Sequence, residues 1–309
     1  MNYQSFLTAI IILLFVLILG GCENNNIIDE KVCITISPTM PEDDGVIRTV
    51  QESDSVLAED EYYLSGLYPV PDYVFMDNGT AHTFALVWLP DNWYGYLPSN
   101  RRVIIHLHGH CALGAMHFSK WHMLARSRNL AVIAPQVWLD DNTPPEGYSV
   151  HPDGGYHLDV NDDIYPFTDA LLQHYGASSA MIHGFSMFAC ASVVLTYRDK
   201  FQNNLLDFTV FNAGRIGEDH PFRHEIEKLA YGGEHDQFSG EQFFFFIELS
   251  NQNPTYQQQL DARSFVETYA GEVVMSYESE GPHGVFFSPV YDNLRSSVVA
   301  YYDSMSTLR

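Results

Sequence analysis

The sequence predicts an α/β layer protein, a mainly parallel central sheet with helices on both faces. Two observations carry that prediction. From about residue 72 onward, short apolar runs alternate with longer amphipathic segments, which is the rhythm of strand–helix–strand units. The runs themselves, such as "RRVIIHLHG" and "FFFFIEL", are apolar at successive positions and lack strict alternation, as expected of strands buried on both faces. At 309 residues, 46% hydrophobic and 14% aromatic, the chain has enough apolar side chain for a large core, which excludes global disorder.

"DYVFMDN" and "HTFALVWLP" read as two strands joined by the turn "NGTA". The strand "RRVIIHLHG" leads to the helical segment "FSKWHMLARSRN" and the strand "LAVIAPQVW". A long loop rich in Pro, Gly and Asp covers 139–156. "DVNDDIYPFTDALLQHYG" has a helical period broken near Pro166. Next come the strand "SSAMIHGFS", a helix, the strand "LLDFTVFNAG" and an irregular stretch over 215–240. The strand "FFFFIEL", the helix "TYQQQLDARSFVETYAG", the strand "EVVMSYES" and a closing helix "SPVYDNLRSSVVAYYDSM" complete the chain. There are no internal repeats and no sign of a second domain.

Residues 1–21 read as a signal segment. The apolar run Phe6–Gly21 is short of the about 20 residues of a membrane span and suits the apolar region of a signal peptide. "LGGC" resembles the lipobox of bacterial lipoproteins, with Cys22 as the lipidated residue, although no Lys or Arg precedes the run. The other reading is an uncleaved anchor helix; both place the remaining chain outside the cytoplasm. Residues 22–60 are polar, acidic and weakly periodic, and are expected to form a tether, leaving 61–309 as the folded domain. The 39 acidic residues against 15 basic give a net charge of −24, so nucleic acid is excluded as a partner. Cys33, Cys111 and Cys190 allow at most one disulfide, and their spacing matches no metal cluster; no cofactor and no metal is expected.

Four stretches carry the chemistry. "HLHGHC" follows a strand. "HGFSMF", about eighty residues on, places Ser186 between a strand and a helix, as a sharp turn that exposes a nucleophile does. "SNQNPT" follows a later strand, and "GPHGVF" sets His283 in a glycine-flanked loop after the last strand. In this order, from residue 72 to the end, the chain resembles an α/β-hydrolase, most closely secreted esterases of the feruloyl-esterase and polyhydroxybutyrate-depolymerase type. That resemblance implies cleavage of a small-molecule or polymer ester by Ser186 as nucleophile and His283 as its base. It implies the backbone N–H groups of His110 and Met187 as oxyanion donors. At the position of the acid stands Asn253, which orients a histidine without stabilising its charge. Glu248, at the end of the preceding strand, and Glu218 and Asp219, after the strand before it, are the alternative acids. Phe188 stands where a glycine is usual; its ring is expected to point outward, with Ala189 and Ala191 taking the close contacts. Three other readings stay open: a helix-capping role for Ser186, a metal site on His106, His108 and His110, and a non-catalytic binding or scaffold module. Trp93, Tyr94, Tyr96, Trp138 and Tyr148 suit either aromatic substrates or packing.

Overall fold

The computed structural model describes residues 34–152, 154–200, 202–216, 240–249, 254–269 and 271–305. Nine strands form one sheet in the order β1-β2-β3-β5-β4-β8-β9-β10-β11. In chain order these are β1 Thr35–Ser37, β2 Asp72–Asp77, β3 His82–Trp88, β4 Arg102–Leu107, β5 Ala131–Pro135, β8 Ser179–Phe185, β9 Leu206–Asn212, β10 Gln242–Glu248 and β11 Glu272–Ser279. The three strands of the β1 side pair antiparallel. From β5 to β11 every pairing is parallel. Every residue of β4, β5 and β9 is buried, which explains why these strands read as continuous apolar runs.

The helices are α1 Asp44–Glu59, α2 Glu61–Leu64, α3 Phe118–Arg126, α4 Tyr165–His174, α5 Met187–Lys200, α6 Tyr256–Thr268 and α7 Asp292–Met305. Their starts follow local chemistry. The Asp43 carboxylate accepts from Val46 N at the head of α1, and Thr255 and Gln258 form a reciprocal capping box on α6. Pro166 sits in the first turn of α4, where its missing N–H costs nothing, and a π-type turn over Val160–Ile164 precedes it. The helical period read across that proline therefore divides just before it.

One sequence expectation is corrected. The part of the presumed tether from residue 34 to 60 is folded and belongs to the same compact unit as the sheet. β1 pairs with β2, and α1 buries Val46, Val50 and Leu57. Those positions lie four and seven apart, an apolar stripe masked by the acidic residues between them. Helix α1 also holds the loop after β5: Arg48 donates from Nε to Asp140 O at 2.9 Å, and Asp140 N donates to Thr49 Oγ1 at 2.9 Å. That stretch, read as a long loop over 139–156, is closed by a short antiparallel pair, β6 Trp138–Leu139 with β7 Tyr156–His157.

The parallel register places the site. Leu107 is level with Gly184, Phe185 with Asn212, and Glu248 with Ser279. The carboxyl ends of β4, β8, β10 and β11 thus open on one edge of the sheet, where parallel α/β sheets bind ligands.

Candidate active site

Ser186 follows β8 and immediately precedes α5, and its φ of 55° lies in the left-handed region that costs an L-residue strain. Ser186 N donates to Asn212 O at 2.9 Å and Ser186 O accepts from Ala189 N at 3.1 Å, which holds the turn. Gly184 is required for it. A Cβ there would lie 2.2 Å from Phe188 O and 2.7 Å from Ala189 Cα, so strand and helix meet backbone to backbone.

Phe188 does not point outward, contrary to the expectation. It is fully buried, edge-on to His108 with ring centroids 5.7 Å apart and 5.5 Å from the His157 ring. The space that a glycine would leave open is filled by a ring that supports the histidine-bearing loops. To a Cβ at Gly184 the closest approach is by the Phe188 backbone oxygen, and Ala189 Cα comes next at 2.7 Å.

His283 lies beside Ser186. Its Nε2 is 2.8 Å from Ser186 Oγ, and its Nδ1 is 2.8 Å from Glu248 Oε2. Glu248 is completely buried, and its second oxygen, Oε1, accepts from Gly284 N at 2.8 Å. A carboxylate at Nδ1 fixes the tautomer: the proton sits on Nδ1 and Nε2 offers its lone pair to the serine hydroxyl. The Phe185 ring stacks on the His283 ring at 4.8 Å and keeps its plane. The structure therefore brings together Ser186, His283 and Glu248. Glu248 occupies the place at Nδ1 that the sequence reading gave to Asn253; Asn253, Glu218 and Asp219 lie outside the described residues.

Gln259, which the sequence reading did not single out, holds Glu248. Its Oε1 accepts from Glu248 N at 2.8 Å and its Nε2 donates to Glu248 O at 3.0 Å, with the side chain fully buried on α6. Its signal in the sequence is faint, a lone Gln on a helix rich in glutamine.

The turn after β4 approaches the serine from the other side. A Cβ on Gly109 would lie 3.0 Å from the Phe185 ring and 3.6 Å from Ser186 Cβ, so a glycine brings His110 to the nucleophile. Met187 opens α5, and its Sδ lies 3.3 Å from His110 Nδ1. Gln136 ties this turn down by accepting from Gly114 N at 2.7 Å and donating to Ala112 O at 3.2 Å.

The three histidines of "HLHGHC" do not converge. His106 donates from Nε2 to Met116 O and shares a 3.0 Å hydrogen bond with His183 through the two Nδ1 atoms. Asn212 Nδ2 donates to His183 Nε2 at 3.1 Å, so one set of neutral tautomers satisfies the chain. His108 donates from Nδ1 to Gly109 O and accepts from Val137 N at Nε2. Burial pushes His106 down to about 3 and His108 to about 4, and His183 well below its ordinary 6.5. His110 instead meets His157, His151 and Cys111. Burial, then the neighbouring histidines, push His157 down to about 3. Of the aromatic residues weighed for substrate binding, Trp93 is core, donating from Nε1 to Tyr175 O, and Trp138 is buried.

No protein-family model and no curated protein matches the sequence. Solved structures do. The chain is similar to the hyperthermophilic esterase from the archaeon Pyrobaculum calidifontis, with a TM-score of 0.56 and 13% identity over 87% of this chain and 93% of that one. It is also similar to brefeldin A esterase, a bacterial homologue of human hormone-sensitive lipase, with a TM-score of 0.54 and 14% identity over 89% and 90%. An S-formylglutathione hydrolase from Agrobacterium tumefaciens gives a TM-score of 0.50 and 12% identity over 72% and 90%. The fold is that of the α/β-hydrolases.

Proposed function

We propose that the protein is a serine hydrolase that cleaves carboxylic esters through an acyl-enzyme on Ser186. The observation that carries this reading is the continuous relay from Glu248 through His283 to Ser186, with both hydrogen bonds at 2.8 Å. His283 Nε2 takes the proton as Ser186 Oγ attacks the ester carbonyl. The imidazolium so formed faces a buried carboxylate whose other oxygen is already held by Gly284 N. His283 then returns that proton to the leaving alcohol. In the second half it draws a proton from water, which attacks the acyl-enzyme and frees Ser186. On this reading the N–H groups of Met187, at the amino end of α5, and of His110 receive the oxyanion, and the helix end adds its positive dipole. With Glu248 at Nδ1, the amide at Asn253 no longer argues for a non-catalytic module.

The solved esterases that share the fold support an ester as substrate, and the sequence resemblance to secreted feruloyl-esterase-type enzymes supports the same class. The lipobox at Cys22 further supports a lipid-anchored, extracytoplasmic enzyme. A fluorophosphonate probe tests the chemistry: it is expected to label the wild-type chain and to fail on Ser186→Ala and His283→Ala. Equal labelling of wild type and Ser186→Ala rules the reading out. Palmitate incorporation that is lost in Cys22→Ala tests the anchor, and incorporation in neither protein removes it.

A further inference from the structure

Beside the serine relay lies a second group of side chains that the ester chemistry does not use. Cys111 and His110 come from the turn after β4, while His151 and His157 come from the loop that β6 and β7 close. His157 Nε2 is 2.9 Å from His110 Nδ1. Cys111 Sγ is 4.0 Å from His157 Nε2 and 3.8 Å from His151 Nδ1. The donor atoms of His110, Cys111 and His157 all lie within 4.8 Å of one another.

These separations are those of ligands around one small ion. Zinc bonds of about 2.3 Å to sulfur and about 2.0–2.1 Å to nitrogen at tetrahedral angles put nitrogens about 3.3 Å apart and sulfur and nitrogen about 3.6 Å apart. The His110–His157, Cys111–His157 and Cys111–His151 separations fall within about half an ångström of those values, and the group of His110, Cys111 and His157 as a whole, within 4.8 Å, must draw together as the ion binds. The scaffold is built. β7 holds His157 opposite Trp138, the turn His151–Gly155 is closed by His151 N donating to Gly155 O at 2.8 Å, and Phe188 packs beneath His157. Cys111 has a φ of 47°, a strained conformation that turns its side chain toward the loop. One thiol and three imidazoles suit a borderline-soft transition-metal ion and are a poor set for magnesium or calcium.

We propose that His110, Cys111 and His157, with His151 as fourth ligand, bind one zinc-type divalent ion that staples the oxyanion turn to the loop carrying His151 and His157. Binding displaces the thiol proton of Cys111 to solvent, and the ring proton shared between His110 Nδ1 and His157 Nε2 moves to a distal ring nitrogen, leaving both donor lone pairs on the ion. Occupancy then restrains the turn that the proposed function assigns to the oxyanion, a consequence that rests on that reading. The sequence concealed the site because Cys111 and His157 are 46 residues apart.

The test needs no ester. The full chain, stripped with chelator, is titrated with cobalt(II) and, separately, loaded with zinc and counted by elemental analysis. One equivalent is expected, with a thiolate-to-cobalt charge-transfer band that Cys111→Ser abolishes; His157→Ala weakens binding by at least about tenfold. His82→Ala, at a half-buried histidine on β3, leaves both unchanged. Alkylation of the wild-type chain followed by peptide mapping gives a second readout that no variant's folding affects: zinc is expected to protect Cys111 from iodoacetamide. Substoichiometric metal indifferent to Cys111→Ser, or a Cys111 alkylated equally with and without zinc, overturns the proposal.

Discussion

Replacing Glu248 by Gln separates a charge relay from a merely positioned histidine. The exchange keeps the volume of a fully buried side chain, so the fold is retained. Two losses follow. Glu248 and His283 are in contact at 2.8 Å, which puts their charge centres about 4 Å apart; at an effective dielectric of about 20 that pair is worth about 4 kcal/mol to the imidazolium. At about 1.36 kcal/mol per decade, this is about a thousandfold in rate. The second loss comes from Gly284 N, which donates to Oε1. The glutamine carbonyl stays on that donor and turns its NH₂ toward His283 Nδ1. The ring then carries its proton on Nε2 and presents N–H, not a lone pair, to Ser186. The combined loss is expected at about 10³–10⁴ in kcat/KM, measured by nitrophenyl acetate hydrolysis with thermal melting as the fold control. Loss under about tenfold refutes the argument and returns the role to another residue; Asn253→Asp, expected to change the rate little, is the matched control.

Three further outcomes are expected. Gly184→Ala drives a Cβ to 2.2 Å from Phe188 O and lowers stability by about 3 kcal/mol or more in urea titration; a midpoint near wild type contradicts the close approach of β8 and α5. Leu57→Ala costs about 3 kcal/mol if α1 is part of the core, and nothing if residues 22–60 are a tether. Stability falls as the pH drops from about 6.5 toward 3, because unfolded histidines take protons near 6.5 whereas burial holds His106 to about 3, His122 to about 4 and His183 well below 6.5. The fall is steepest, at up to about 1.4 kcal/mol per pH unit for a group such as His106, between about 6.5 and its folded value, and urea midpoints flat from pH 7 to 5 contradict it.

The parallel sheet was legible because buried strands write their burial as unbroken apolar runs. Ser186 and His283 stood out in the sequence because each follows the end of a strand close to a glycine, Gly184 before Ser186 and Gly284 after His283. Glu248 was harder to read: it closes "FFFFIE" as the last residue of a strand, and only the register of β10 against β11 brings it to the His283 loop. A positional match pointed five residues further, to Asn253. Phe188 was misjudged because a helix start with a bulky residue says nothing of the cavity beneath His108 and His157 that receives it. The acidic stretch 34–60 hid its apolar stripe among carboxylates. Cys111 and His157 meet only through tertiary closure of the loop between β6 and β7.

The most direct test of the central claim is the acyl-enzyme itself. Rapid mixing of the full chain with nitrophenyl acetate is predicted to release a burst of one equivalent of nitrophenolate. Mass spectrometry of the quenched protein is predicted to place a single acetyl group on Ser186. Turnover without a burst, or an acetyl group on any residue other than Ser186, contradicts the account.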